Sequence, residues 1–187
     1  MKTQTYLTFL CTVVLCGGPG MSSAQSSADI DVMKQQLAEV QRQRQVETAN
    51  LENFDDLDFN VYSGQKWEQL GKSHAKDITV HYPDGSTTKG LDPHIAALKP
   101  MFVFAPDHKI IDHPIRIASG NWTAVMGTMT GTFTQPMPIG NGKTITPTGK
   151  AFKLNMVTIG RWEGTTMAEE WLFWDNHAFM KQLGLVQ

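Results

Sequence analysis

The second half of the sequence constrains the fold most, because it consists almost entirely of strand-forming segments separated by turns. These segments are rich in Thr, Val, Ile and aromatic residues, which favour strands, and they cover residues 109–118, 122–133, 151–162 and 165–174. Gly120-Asn121 and Glu163-Gly164 are typical of tight turns, whereas residues 136–149 form a longer loop. We therefore predict a long antiparallel meander.

The first half predicts helices instead. Apolar side chains recur every three to four residues at Leu51, Phe54, Leu57 (or Asp58) and Val61, which indicates an amphipathic helix over residues 46–62. Trp67, Leu70 and His74 share one face of a shorter predicted helix. A strand at 77–82 and a helix at 93–104, with Asp92 as its N-cap, follow. Early helices and late strands favour an α+β fold, in which the helices pack on one face of a curved antiparallel sheet.

Residues 1–24 have the pattern of a secretory signal peptide. Lys2 provides the positive charge, an apolar run extends from Tyr6 to Cys16, and small residues follow as far as Ala24. The run is shorter than the roughly 20 residues that span a bilayer. We predict cleavage after Ala24, with Ala28 as the alternative, and a secreted or periplasmic protein. A lipoprotein signal is less favoured, because Leu15 precedes Cys16.

The processed chain has a simple organisation. Cys11 and Cys16 both lie in the predicted signal peptide, so the mature protein has no thiolate ligand and no disulfide. Residues 25–45 are predicted to be a polar, Gln-rich helical extension, and residues 46–187 a single domain. A net charge of -2 without a basic stripe argues against a nucleic-acid binder.

Several common chemistries lack their motifs. The sequence has no G-x-S-x-G, no P-loop, no G-x-G-x-x-G and no H-E-x-x-H. Asp107-His108 and Asp112-His113 suggest metal ligands, but two histidines five residues apart on a strand point to opposite faces. We therefore expect no metal and no cofactor.

The last third carries a series of short motifs in a fixed order. They are Gly131-Thr132-Phe133, Pro147-Thr148-Gly149-Lys150, Gly160-Arg161-Trp162-Glu163-Gly164, Glu169-Glu170-Trp171, Asp175 and Gln182-Leu183-Gly184. This series resembles the SnoaL-like polyketide cyclases, also called predicted ester cyclases, of the nuclear transport factor 2-like superfamily. The resemblance covers about residues 46–185. It implies a cone-shaped curved antiparallel sheet wrapped around the N-terminal helices, an apolar pocket, and a homodimer or larger homo-oligomer formed through the sheet.

The sequence departs from the cyclase pattern at one decisive position. The cyclases carry an acid/base Asp three residues before the Asp that matches Asp175, and Leu172 stands there in this chain. Their partner His on the preceding strand also has no counterpart, since no His lies between His113 and His177. The cyclase mechanism therefore does not carry over residue by residue.

The remaining candidates come from the predicted strands and their ends. As catalytic residues we predict Glu170, Asp175 and His113; as substrate-binding residues we predict Trp122, Trp174, Leu172, Tyr82 and His81. Glu170, Leu172 and Trp174 share one face of the last strand, the inward one if the resemblance holds. Structural alternatives stay open, namely an N-cap for Asp175 and a core histidine for His113 among Ile111, Ile115 and Ile117.

Two functions are compatible with these residues. The first is cofactor-free proton transfer, of cyclase, isomerase or hydrolase type, on a small apolar carbonyl compound in an enclosed pocket. The alternative is a non-catalytic secreted or periplasmic binding protein for such a compound. A third possibility is an assembly module that uses the helix at residues 29–44.

Overall fold

The computed structural model describes residues 23–187 of the chain. Residues 1–22 of the predicted signal peptide, including Cys11 and Cys16, lie outside the described residues, so cleavage and export stay predictions. The chain divides into two units between Glu39 and Val40, and the described residues of the first unit are helical. Neither the boundaries predicted at 25–45 and 46–187 nor the homodimer is tested by this division.

The elements follow the predicted order. They are α1 (Ser23–Asp56), a π-helix (Leu57–Tyr62), a 3-10 helix (Trp67–Lys72), β1 (His74–His81), β2 (Thr87–Lys89), α2 (Leu91–Phe104), β3 (Lys109–Ser119), β4 (Trp122–Thr132), β5 (Met137–Pro138), β6 (Thr144–Ile145), β7 (Ala151–Glu163), β8 (Thr166–Trp174) and α3 (Asn176–Gln182). Across residues 23–187, none of the helices combines the length and the apolar character that crossing a membrane requires.

Six of the strands form one sheet in the order β2-β1-β8-β7-β4-β3. All neighbours are antiparallel except β1 and β8, which run parallel with Val80 opposite Glu170. β5 and β6 form a separate small hairpin within the predicted loop at 136–149. The α+β architecture with an antiparallel-dominated sheet is therefore confirmed.

The core lies between the predicted amphipathic helix and the inner face of the sheet. Phe54 and Val61 are almost fully buried against Val125, Trp162 and other sheet residues. A second cluster connects the ends of α2, β4 and β7 with α3, and contains Phe104, Phe133, Phe152 and Phe179. The two clusters share Met156 and Trp174 as neighbours, and a cavity lies beside these residues.

The predicted alternation of β3 is wrong around His113. The register of β3 against β4 shifts between Ile110 and Asp112 and again between Asp112 and Ile115. Such bulges insert extra residues and change which face a side chain occupies. The His113 side chain is consequently buried, whereas Ile111, Ile115 and Ile117 are exposed.

Candidate active site

A cavity of about 410 Å³ lies between the π-helix, α2 and the inner face of the sheet. Its lining is mainly apolar, with Leu98, Met101 and Phe104 from α2 and Met129 and Met156 from the sheet. The size and character are those of a small-molecule site. Several side chains with acid/base or hydrogen-bonding groups interrupt the apolar wall, among them Asp58, Tyr62, His74, Tyr82, His94 and Glu170.

The most concentrated polar group consists of Glu170, His74 and His94. The Nε2 atoms of both histidines lie 3.6 Å from Oε2 of Glu170, and all three side chains are at most 5% exposed. This distance is longer than a hydrogen bond. Oε2 of Glu170 and Nε2 of His74 are therefore buried without a hydrogen-bond partner. Burying such atoms costs free energy, which a polar ligand atom placed between them would recover.

Each imidazole is fixed through its other nitrogen. The Ser73 hydroxyl donates to the carbonyl of Leu70 and so accepts from Nδ1 of His74, at 2.8 Å. Nδ1 of His94 lies 2.8 Å from the hydroxyl of Tyr82, which also contacts Thr88. We assign the Tyr82 hydroxyl as the donor to Nδ1, which leaves the proton of a neutral His94 on Nε2, facing Glu170.

The protonation states of this cluster follow from burial and neighbouring charge. Burial lowers the pKa of His94 to about 4, against a smaller opposing effect of Glu170, so His94 is neutral at pH 7. Burial also raises the pKa of Glu170, but the interactions with His74 and, to a smaller extent, His94 outweigh it and hold this pKa below its usual value. Glu170 is therefore an ionised carboxylate in an apolar wall.

The same three residues are the group in the described part of the chain whose atoms lie close enough to share a metal ion. Two histidines and one carboxylate are suitable ligands for Zn²⁺ or Fe²⁺. However, the two rings stack with 29° between their planes and 5.1 Å between their centroids. A ring nitrogen offers its lone pair in the plane of the ring, so an ion bound by both imidazoles would have to lie near the line where the two ring planes meet.

Asp58 is a second buried carboxylate of the cavity and belongs to a different hydrogen-bonded chain. Its Oδ2 lies 2.9 Å from Nε2 of His113, and Nδ1 of His113 lies 2.7 Å from Oδ1 of Asp55. The other oxygen of Asp55 pairs with Arg116. Asp58 lies in the π-helix, a type of helix that occurs frequently at functional sites.

Burial and pairing have opposite effects on these groups. Burial raises the pKa of Asp58 and outweighs the hydrogen bond to His113. Burial alone would lower the pKa of His113, but the two aspartates on its ring nitrogens raise it overall. Asp58 and His113 therefore each hold a proton to a higher pH than they would in isolation.

Tyr62 and His108 have a structural role. His108 donates from Nδ1 to the carbonyl of Thr130 and accepts at Nε2 from the hydroxyl of Tyr62, at 2.9 Å each. Burial lowers the pKa of His108 to about 4, so this imidazole is neutral. Asp107 binds the backbone and the hydroxyl of Thr132. The Asp107-His108 pair is accordingly committed to internal hydrogen bonds.

The predicted site residues separate into two groups. Glu170, Leu172, Trp174 and Tyr82 line the cavity, and His113 contacts it through Asp58. The others lie outside it: His81 pairs with Glu169 at 2.9 Å, Trp122 is 42% exposed and stacks on Trp171, and Asp175 is exposed at the start of α3. The structure therefore does not bring His81, Trp122 or Asp175 to the candidate site.

Asp175 has a different task, which predicts the effect of its removal. Its Oδ1 accepts a hydrogen bond from the backbone N–H of Ala178 at 2.9 Å, so it is the N-cap of α3. We expect Asp175→Ala to lower the free energy of unfolding by about 1 kcal/mol, measured by urea denaturation. Asp175→Asn should retain the cap. A loss of catalytic rate in Asp175→Asn at unchanged stability would contradict this assignment.

Sequence reasoning missed His74, His94 and Asp58. The sequence pattern predicts His74 on a helical face with Leu70, but the 3-10 helix ends at Lys72 and His74 begins β1. The other two carried a signal. His94 lies on the apolar face of α2 formed by Leu91, Ile95 and Leu98. Asp58 interrupts the apolar stripe of the predicted amphipathic helix at residues 46–62. A titratable residue on an otherwise apolar helix face was the available indication.

Comparison with known proteins supports the same fold. The sequence model of the SnoaL-like polyketide cyclase family matches residues 57–183. This range includes all the cavity residues named above and begins with the π-helix. No curated protein sequence matches the chain significantly.

Solved structures resemble the chain over most of its length. A protein from Jannaschia sp. CCS1, assigned as a SnoaL-like polyketide cyclase, is 19% identical with a TM-score of 0.63, covering 76% of this chain and 96% of that one. IdmH from Streptomyces antibioticus, assigned as a polyketide cyclase, is 20% identical with a TM-score of 0.61 and covers 72% and 98%. A Catenulispora acidiphila protein described as having a ketosteroid isomerase-like fold is 14% identical with a TM-score of 0.56, covering 73% and 93%.

Proposed function

The chain belongs to the SnoaL-like polyketide cyclase family, and we propose that it is an enzyme that transfers protons in a small apolar carbonyl compound without metal or cofactor. Glu170 is the base that removes a proton from the carbon next to the carbonyl group. The resulting enolate leads to ring closure, isomerisation or elimination, depending on the substrate.

One observation carries this proposal, namely the unpartnered carboxylate oxygen of Glu170 in the wall of an apolar cavity. An ionised carboxylate oxygen without a hydrogen-bond partner has a lone pair available to take a proton from a carbon atom placed beside it. Leu172 of the last strand faces inward but carries no carboxylate. Glu170, two residues earlier on the same face, does carry one. Glu170 thus places a carboxylate on the same face of β8 as Leu172.

His94 completes the chemistry at the carbonyl group. The Nε2–H that we assign to His94 points toward Glu170 and can donate a hydrogen bond to a carbonyl oxygen placed beside it. Such a donor stabilises the negative charge that develops on the enolate oxygen. Burial raises the pKa of Tyr82 and so keeps its hydroxyl protonated. This hydroxyl donates to Nδ1 of His94 and thereby fixes the tautomer in which Nε2 carries the proton.

Deuterium exchange tests the proposal before the natural substrate is known. The probe is 2-tetralone, a small apolar ketone whose α-hydrogens exchange with D2O when a base forms the enolate. We expect the full mature chain to accelerate this exchange, measured by proton NMR, with the same rate in excess EDTA. Exchange no faster than in buffer overturns the proposal. A ligand retained unchanged in native mass spectrometry would then favour the alternative function, a non-catalytic binding protein.

We also propose that the protein is exported, on the basis of the charge and apolar pattern of residues 1–24. Expression of the complete chain in a Gram-negative host should yield a periplasmic product whose first residue is Gln25, or Asp29 if cleavage follows Ala28. N-terminal sequencing of the periplasmic fraction measures this directly. A cytoplasmic product that retains Met1 or Lys2 would contradict export.

A further inference from the structure

The hydrogen-bonded chain of Asp58, His113 and Asp55 is not used by the proposed base. We infer that Asp58 is a second proton-transfer group of the cavity. It acts as an acid, His113 supplies a proton to it, and Asp55 positions His113. The inference rests on the proposed function, because it needs an enolate to receive the proton. It assigns to the site a reaction class in which one substrate atom loses a proton and another gains one.

The geometry gives each member a separate task. Asp58 lines the cavity, and His113 binds its Oδ2, so Oδ1 stays available to a bound molecule. His113 is held between Phe54 and Phe59, with ring centroids at 5.7 and 4.3 Å. Asp55 binds the opposite nitrogen of His113 and fixes the ring with Nδ1–H toward itself. An aspartate behind an imidazole sets its tautomer and stabilises its charged form.

The charges around His113 favour the charged form of its ring, in which both nitrogens carry a proton. Asp55 reaches the ring from α1 and Asp58 from the π-helix, and both are carboxylates. The cation beside this group is Arg116 on β3, which is paired with Asp55. Asp112, beside His113 in sequence, is exposed. Two carboxylates on one imidazole outweigh the arginine that neutralises one of them, so the ring holds its proton close to Asp58.

The environments of the two cavity carboxylates push them toward opposite roles. Glu170 is ionised beside His74, whereas burial raises the pKa of Asp58 and favours its protonated form. Paired groups that differ in this way identify a base and an acid. A site with one group of each kind can remove a proton from carbon and protonate oxygen without releasing a free enolate.

The proton balance closes over one cycle. The substrate C–H bond breaks and Glu170 gains that proton. The O–H bond at Oδ1 of Asp58 breaks as an O–H bond forms on the substrate, and Nε2 of His113 passes its proton to Oδ2 of Asp58. After the product leaves, the proton on Oδ2 returns to Nε2 of His113, Oδ1 of Asp58 gains a proton from water, and Glu170 loses one to water. No oxidant, reductant or further reactant is needed.

Asp55→Asn tests the inference. Asp55 does not line the cavity and is 28% exposed, so the substitution should leave the fold and the cavity lining nearly unchanged. We expect the rate of 2-tetralone exchange at saturating probe to fall at least about tenfold, with little change in KM. Without the carboxylate, His113 loses its proton at lower pH, and the alkaline limb of the rate profile should therefore move to lower pH. Asp112→Asn, an exposed carboxylate on the same strand as His113 with the same charge change, is the matched control.

The outcomes separate the two proposals. If Asp55→Asn matches Asp112→Asn in rate and in pH profile, the chain of hydrogen bonds is structural and the inference fails while the proposed function stands. If Glu170→Gln exchanges 2-tetralone as fast as the unaltered protein, the proposed function fails whatever Asp55→Asn does. Nitrogen-15 NMR of the histidines gives a second readout: both ring nitrogens of His113 should be protonated at pH 7, and a bare Nε2 would overturn the inference.

Discussion

Glu170→Gln should reduce the rate of 2-tetralone exchange at least about 100-fold, because a positioned general base contributes about 10²–10⁴ to such a rate. Gln has the same shape and fills the same place between His74 and His94, but its amide cannot accept a proton from carbon. The measurement is the NMR exchange rate at saturating probe. Binding of 2-tetralone should change little, since the apolar lining is unaltered.

Glu169→Gln is the matched control for this prediction. Glu169 is the adjacent residue of β8 and points to the opposite face, where it pairs with His81 and Arg161. The substitution removes the same charge from the same strand without touching the cavity. Equal loss of exchange in both variants would indicate a general effect on the strand and would contradict the assignment of Glu170 as base.

The pH dependence of the unaltered protein follows from the pKa of Glu170. This pKa lies below its usual value of 4.5, so the base stays ionised as the pH falls toward that value. Its contribution to stability has the same sign: it is present above the unfolded pKa and is lost as the pH falls through the folded pKa. Glu170→Gln should therefore differ least from the unaltered protein, in stability as in rate, at the acid end of the profile.

The inward position of Glu170 was predictable because it depends on a local rule. Side chains alternate along a strand, so Glu170, Leu172 and Trp174 had to share a face, and the resemblance to the cyclases indicated that this face is the inward one. The order of helices and strands was predictable for the same reason, since each element has its own composition and period. The register between distant elements was beyond this reasoning.

The partners of Glu170 depend on that register. His74 comes near Glu170 because β1 runs parallel to β8, a pairing of strands that are distant in the sequence. His94 arrives from α2, and its approach depends on how the helix packs on the sheet. No spacing in the sequence connects residues 74, 94 and 170, so pattern analysis could find each residue but not the cluster.

His113 shows a different limit. Strict alternation assigns it to the face of Ile111 and Ile115, and two bulges in β3 turn it inward to Asp58. A bulge depends on pairing with the neighbouring strand. Gly127 of β4, where an added Cβ would lie 3.6 Å from the His113 ring and 3.3 Å from Ile110, leaves room for this turn. The glycine was visible in the sequence, but its purpose was not.

Trp162→Ala should cost about 3–5 kcal/mol of unfolding free energy, the largest stability loss we expect from a single side chain. Trp162 is 1% exposed and packs in the cluster that joins Phe54 and Val61 to the sheet. Truncation leaves a large void there and also removes the donor to Thr123, whose Oγ1 lies 2.9 Å from Nε1. Urea denaturation measures the loss, and an unchanged slope would show that the same surface is exposed on unfolding.

Trp122→Ala is the matched control, because this tryptophan is 42% exposed on the outer face and stacks on Trp171. Its loss should cost about 1 kcal/mol or less. Thr123→Val separates the hydrogen bond from the packing: it keeps the shape but leaves the buried Nε1–H without an acceptor, at a cost of about 1–3 kcal/mol. If Trp122→Ala destabilises as much as Trp162→Ala, the core does not lie where the helix meets the inner face of the sheet. The cavity that depends on that core would then lose its wall.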